Sequence, residues 1–323
     1  MKTVLLIFLS VGLFANTNMD NFLDQYRRGG VKQIKKQLDM QLTTKEYWQN
    51  YLKQEDTTFG YLEKYSSILA CDKNTSTLEL YKQEDDKTFK LIKQYPAYTG
   101  KQKGDKVTEG DLRTPIGIYN ITKKIVKLDS FYGPLAFVTS YPNDYDQYKG
   151  KDGHGIWIHG LPLQRHRESF TKGCIAINNT NIKNLEKQID INSTLLIIDK
   201  DKINKNISKD TLADILSQLY MWRYTWIYND IDKYLNFYSN DFVKDGKMNF
   251  DSFAKYKKRI FAKNEQKEII FKDLNIIKYP NTKDVYQITF EEVYNSNSFS
   301  FRGKKTLIIR LIKDNIMQIF IEK

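Results

Sequence analysis

The stretch "GHGIWIHGLPLQRHRESFTKGCIAINN", Gly153–Asn179, holds all three histidines of the chain, His154, His159 and His166, together with Cys174, one of its two cysteines. In "GIWIHG" the isoleucines alternate with Trp157 and His159. A strand here puts Ile156 and Ile158 on one face and Trp157 with His159 on the other. Gly160 follows at once and lets backbone or substrate come close. Further on, Gly173 and Cys174 open a second alternating run, "CIAI". The segment between, "LPLQRHRESFTK", is polar and basic, as a surface loop is, and such a loop can fold back to bring imidazole to thiol.

A cysteine attacks as its thiolate. A neighbouring imidazole can take that proton and later return it to a leaving amine. The carbonyl under attack needs N–H donors for its developing oxyanion, and Gly173 suits a tight turn that aims its own amide and that of Cys174 at a substrate. The residues therefore suit acyl transfer at an amide. Three other accounts stand beside it. Zinc is disfavoured because neither H-E-x-x-H nor a C-x-x-C pair is present. A redox thiol wants a resolving cysteine nearby, and none is local. Histidines merely satisfied in a loop or a core are the simplest account, and the residues alone leave it open.

Working outward, "TLELYKQ", "TFKLIKQYPAYTG", "PIGIYNITKK", "LAFVTSYP" and "STLLIIDK" alternate apolar and polar residues between turn signals, as strands do. One helix interrupts them, "NNTNIKNLEKQI", with Asn179 or Thr180 as cap and Ile182, Leu185 and Ile189 as its buried face. Residues 73–201 thus form a β-rich domain. Before it, residues 16–72 read as a small helical unit with a break at "RRGG" and a second helix starting near Thr43 or Thr44. That unit buries little alone and should pack on the next domain or on a second copy, making a homodimer. After it, "KDKINKNISKD" reads as a charged linker. Residues 207–323 then give a long amphipathic helix followed by strands for it to lie across, an α+β arrangement. The aromatics from Tyr220 to Tyr238 are core and rim packing first, and a sugar-stacking platform only second.

The opening "MKTVLLIFLSVGLFANTN" reads as a secretory leader over residues 1–15: Lys2, an apolar run to Phe14, then Ala15. The run is shorter than the roughly 20 residues a membrane span takes, and no later segment is apolar enough to span. The expected compartment is the periplasm. The formal net charge of +12 comes mainly from lysine. It is either solvated surface or an attraction to a polyanion, and behind a leader that polyanion is a cell-wall polymer rather than nucleic acid. A disulfide between Cys71 and Cys174 is possible in such a compartment, but the two sit far apart in unlike contexts, and an unpaired exported thiol suggests catalysis.

"IHG", followed after a loop by "TKGCIAI", resembles the active-site signature of the L,D-transpeptidase catalytic domain (YkuD-like), and "RTPIGIY" resembles the strand preceding it in that family. The resemblance covers about residues 75–200 and implies a mainly β fold without metal or other cofactor. It implies Cys174 as nucleophile, His159 as general base and acid, Gly173 and Cys174 amides in the oxyanion hole, and Gly160 orienting the histidine through its carbonyl. Lys172 stands where many members have histidine, and Ala176 where they commonly have arginine. That variant resembles the exported L,D-carboxypeptidases of helical bacteria, as does the whole layout with its NTF2-like C-terminal domain. The implied activity is trimming of peptidoglycan stem tetrapeptides to tripeptides, with effects on cell shape; cross-linking by transpeptidation and non-catalytic wall binding are the alternatives. Arg113, Arg165, Arg167, Lys172 and Trp157 are candidates for holding the substrate, the cations by gripping carboxylates, with solvated surface charge as the plain alternative.

Overall fold

A computed structural model describes residues 10–163, 168–201, 203, 205 and 207–323. Residues 1–9 of the expected leader, and the candidates Arg165, His166 and Arg167, lie outside the described residues. Helix α1 (Ser10–Gln41) turns at Gly30, where φ is +67°, a value glycine adopts without the clash a Cβ brings. Helix α2 (Lys45–Tyr51) follows.

These helices pack on the last domain rather than on the next one. Trp48 and Leu52 are buried in the C-terminal core, and the Trp48 ring sits 5.1 Å from that of Tyr220. Buried Asp39 pairs with buried Arg223. The short strand β1 (Tyr61–Leu62) adds to the C-terminal sheet, with Tyr61 opposite Ile276. The helical unit also ends sooner than residue 72. "SILACD" is strand β2 (Ser67–Asp72), the first of the next domain, and only Asp72 in it is not buried. A strand buried on both faces has no polar alternation to betray it.

Strands β2, β3 (Thr77–Gln83), β4 (Phe89–Tyr98), β5 (Gly117–Ile125), β6 (Ala136–Thr139), β7 (Trp157–His159), β8 (Ile175–Ile177) and β9 (Thr194–Asp199) close into a barrel. Its neighbours run β2-β3-β4-β8-β7-β6-β5-β9, and β9 returns beside β2 in parallel. The interior is filled by Leu69, Cys71, Leu78, Tyr119, Ile158 and Ile175 among others. Helix α3 (Asp144–Tyr148) lies between β6 and β7. Helix α4 (Asn179–Gln188) buries Ile182 and Leu185 as expected, but its cap is Asn178, whose side chain accepts from the Asn181 amide. Asn179 has another task, described below.

The segment expected as a linker is packed. Ile207 is buried in the C-terminal core, and its amide donates to Thr57 at 3.1 Å. The isoleucines among its lysines decide its fate. The expected long helix is two, α5 (Lys209–Ile227) and α6 (Ile231–Leu235), parted at Asn229 with φ +62°. Then come β10 (Tyr238–Lys244), β11 (Met248–Asn249), α7 (Phe250–Ala262), β12 (Lys267–Lys278), β13 (Val285–Ser296), β14 (Ser300–Leu311) and β15 (Met317–Glu322). The sheet order is β1-β12-β13-β14-β15-β10-β11, antiparallel except where β10 runs parallel to β15. Trp222, Trp226, Tyr234 and Tyr238 are buried between helices and sheet, so this aromatic run is mainly core. The α+β class read from the sequence is the class observed. No helix among the described residues is long and apolar enough to cross a membrane.

Candidate active site

Strand β7 sits between β6 and β8, with His159 opposite Ala136 on one side and Ala176 on the other. His159 is 1% exposed. Nδ1 lies 2.6 Å from the Gly160 carbonyl oxygen. A carbonyl only accepts, so Nδ1 carries the hydrogen, and in the neutral ring Nε2 is the basic nitrogen. Gly160 is itself clamped: its N–H donates to the Tyr132 carbonyl at 2.9 Å. A Cβ there would lie 2.4 Å from Asn179 Oδ1 and 2.7 Å from Pro134 Cδ, so only glycine fits. Asn179 Oδ1 accepts the Leu161 N–H at 2.8 Å, holding the chain as it leaves the strand. The Tyr132 ring stands edge-on to His159 and tilted against half-buried Trp157, each at 5.1 Å between centroids.

Strands β7 and β8 are parallel, with Ile158 opposite Ile175 and His159 opposite Ala176. Cys174 stands immediately before β8. Residues two apart share a face, so Trp157, His159 and Ala176 project together while Ile158 and Ile175 enter the core. The strands on either side of the polar segment thus lie side by side. Cys174 is half-buried, and its Sγ lies 3.4 Å from the Gly155 carbonyl, to which the thiol donates. No disulfide joins it to Cys71. Cys71 is wholly buried in β2, and burial pushes its thiol up to about 12.

Gly173 has φ +139°, and a Cβ there would lie 2.9 Å from the Arg113 carbonyl. Its amide does not point at a substrate, however. It donates to Thr171 Oγ1 at 3.0 Å. Of the two oxyanion donors read from the sequence, that of Gly173 is therefore withdrawn, and this glycine serves by its conformation. The same Thr171 hydroxyl donates to the Cys174 carbonyl at 2.7 Å.

Arg113 is brought against Gly173 by its backbone. Its Nε is buried without a hydrogen-bond partner, and the side chain forms no ion pair with a described carboxylate. The loop that carries it is held by Asp111, whose carboxylate accepts from the amides of Val107, Thr108 and Arg113 and pairs with buried Lys106 at 2.9 Å. Burial would raise Asp111, but those donors outweigh it and hold the acid at about 2. Lys172 is exposed. His154 is also exposed, 3.9 Å from Glu109 Oε1 and next in the chain to Gly155, whose carbonyl meets the Cys174 thiol. Among the described residues no three metal-binding side chains gather as a site. Thr171, Tyr132 and Asn179 were not among the candidates. Thr171 stands in the quoted motif, whereas nothing in the sequence marks Tyr132 or Asn179 as neighbours of His159.

A concavity opens in the C-terminal domain, lined by Trp226, Lys257, Glu292, Tyr294, Lys305 and Glu322 among others. Lys305 pairs with Glu322 at 2.8 Å and Glu292 at 3.5 Å. Burial would raise Glu322, but Lys305, Lys257 and Lys244 prevail and hold it at about 2. The Lys257 ammonium lies 4.0 Å from the Trp226 ring centre, and burial brings it down to about 7.

Residues 66–198 match the model of the L,D-transpeptidase catalytic domain, and residues 214–323 that of the Cds6 C-terminal NTF2-like domain. Among solved structures, the helical cell shape determining protein Pgp2 of Campylobacter jejuni is 34% identical with a TM-score of 0.79, over 87% of this chain and 99% of that one. Bd1075 of Bdellovibrio bacteriovorus is 27% identical with a TM-score of 0.66, over 83% of this chain and 96% of that one. YafK of Escherichia coli K12, a putative L,D-transpeptidase by name, is 31% identical over 112 residues, 34% of this chain and 42% of YafK. The chain thus spans about two fifths of the curated relative's length but nearly all of Pgp2. With both domains matched in order, the chain belongs to the L,D-transpeptidase family.

Proposed function

We propose that the chain is a peptidoglycan L,D-carboxypeptidase working by a Cys174–His159 acyl-enzyme. The observation that carries this reading is the pairing of β7 and β8, which brings Cys174, at the entry of β8, beside the strand that carries His159, while the Gly160 carbonyl leaves Nε2 of His159 as the base. Cys174 Sγ attacks the carbonyl at the L-centre of diaminopimelate in a stem tetrapeptide as its proton passes to Nε2. The C–N bond to D-alanine breaks, and the imidazolium protonates the departing amine. Water then gives a proton to Nε2 and attacks the thioester, which releases the tripeptide and restores the thiol. Arg113, with a buried nitrogen lacking a partner, is the cation best suited to a stem carboxylate. Ala176, buried beside His159, supports hydrolysis over transpeptidation, following the resemblance drawn from the sequence. Incubation with disaccharide tetrapeptide tests the choice: tripeptide and D-alanine are expected, and cross-linked dimers without tripeptide would reject it. Action on peptidoglycan fits a cell-wall location, and a periplasmic address with a cleaved leader belongs to this proposal.

A second reading, wall binding by the C-terminal domain, is favoured by Lys257, a buried cation that meets its neighbours through ring faces. A carboxylate-bearing wall fragment suits it. Binding of such a fragment should weaken as pH rises through about 7, where Lys257 loses its charge. If Lys257→Met binds equally, this reading fails. The homodimer is proposed on Met19, Phe22, Leu23 and Tyr26, an exposed stripe at helical spacing on α1. Sedimentation showing only monomer at high concentration would dismiss it.

A further inference from the structure

Thr171 uses both sides of its hydroxyl on the peptide groups around the nucleophile. It is 3% exposed. Its backbone is fixed independently of its side chain: the amide donates to Thr99 O at 2.8 Å, and the carbonyl accepts from Lys101 N–H at 3.0 Å. From that anchored position Oγ1 accepts the Gly173 N–H at 3.0 Å and donates to the Cys174 carbonyl at 2.7 Å. A hydroxyl has one hydrogen to give, so accepting from one side and donating to the other fixes its rotation.

The two bonds reach different peptide planes. The first belongs to the Lys172–Gly173 peptide and the second to the Cys174–Ile175 peptide. Between them lies the Gly173–Cys174 peptide, whose N–H is the donor nearest the thiol along the chain. With the outer planes tied to one oxygen, the middle plane and the Cys174 Cα–Cβ direction have little freedom. Gly173 makes this necessary, since its φ of +139° lies where glycine alone is at ease and where glycine is also least restrained. Oxyanion stabilisation demands donors fixed about 3 Å from where the charge will develop, and displacement of a reacting group by about 1 Å can cost roughly 10²-fold.

We infer that Thr171 is a positioning residue for acyl transfer at Cys174: its hydroxyl holds the Cys174 amide toward the oxyanion and takes the Gly173 amide out of that role. This rests on the acyl-enzyme reading but not on the identity of the substrate.

The test compares Thr171→Val, which keeps the shape and loses the hydroxyl, with Thr171→Ser, which keeps the hydroxyl. Two probes separate the steps in the full chain. p-Nitrophenyl acetate acylates a thiol through an oxyanion, whereas iodoacetamide alkylates it without one. Thr171→Val is expected to lose about 10²-fold in the acylation rate constant, with the alkylation rate changed by less than about threefold. Thr171→Ser should return acylation to within about fivefold of the parent chain. Equal acylation by Thr171→Val and the parent would overturn the inference. So would a Thr171→Val variant that loses alkylation and acylation alike, or a Thr171→Ser variant as slow as Thr171→Val. Should the parent chain leave disaccharide tetrapeptide intact yet show Thr171-dependent acylation, the substrate reading falls and the positioning role stands.

Discussion

His159 donates from Nδ1 to the carbonyl of Gly160, the residue that follows it, at 2.6 Å. The strand end thus supplies a group that orients the base. Because the acceptor is backbone, it is the space around Gly160 that can be altered. Gly160→Ala would press a methyl onto Asn179 and Pro134, and overpacking of this kind costs about 1–3 kcal/mol. We expect a lower thermal midpoint and a fall in kcat larger than any rise in KM. Unchanged kcat in a folded variant would show that the ring does not depend on this carbonyl.

Replacing His159 by Gln should reduce D-alanine release by about 10²–10⁴-fold, the range general acid–base catalysis supplies. The muropeptide assay reads this directly, and retention of a tenth or more of the activity would remove His159 from the mechanism.

The two thiols should react very differently. Cys71 is buried, and burial pushes its thiol pKa up to about 12, whereas Cys174 is half-buried. Iodoacetamide at neutral pH should give one adduct, at Cys174, by peptide mass mapping, with a second at Cys71 only after denaturation. Prompt labelling of Cys71 in the native chain would contradict the packing described for β2.

Arg113→Gln should raise KM for stem tetrapeptide by about tenfold or more, as expected when a charged hydrogen bond worth roughly 1.5–3 kcal/mol is lost. The same variant should treat a substrate amidated at its stem carboxylates almost as the parent does. An equal loss on both substrates would assign Arg113 to loop structure alone.

Asp111 gives a pH dependence with a definite sign. Its folded pKa, about 2, lies below the ordinary 3.8, so its stabilising effect is present above pH 3.8 and disappears as pH falls toward 2. The shift corresponds to about 2 kcal/mol at neutral pH. Denaturant unfolding should find Asp111→Asn less stable than the parent at pH 7, with the difference shrinking between pH 4 and pH 2. A difference constant over that interval would mean that the amides of the loop do not bind a carboxylate.

Much of this was legible in the sequence because the chemistry is concentrated there. The alternation in "GIWIHG" set the face of His159, and glycine after it marked a close approach that the Asn179 and Pro134 contacts explain. What escaped detection depended on contacts distant in sequence. Strand β2 is apolar from Ile68 to Cys71 without a break and carries no period-two signal. Asn178 rather than Asn179 caps α4, because Asn179 is drawn to the Leu161 amide. The helical unit joined the far domain through Trp48 and Arg223, a partnership no local pattern encodes. Gly173 lies in a bend, and which way its amide points is decided by the Thr171 hydroxyl.

Acid quenching during turnover of disaccharide tetrapeptide, followed by peptide mapping, tests the central claim most directly. The account predicts a thioester on Cys174 carrying the disaccharide tripeptide, accompanied by released D-alanine, and neither product from Cys174→Ala. D-alanine release that persists in Cys174→Ala would contradict it.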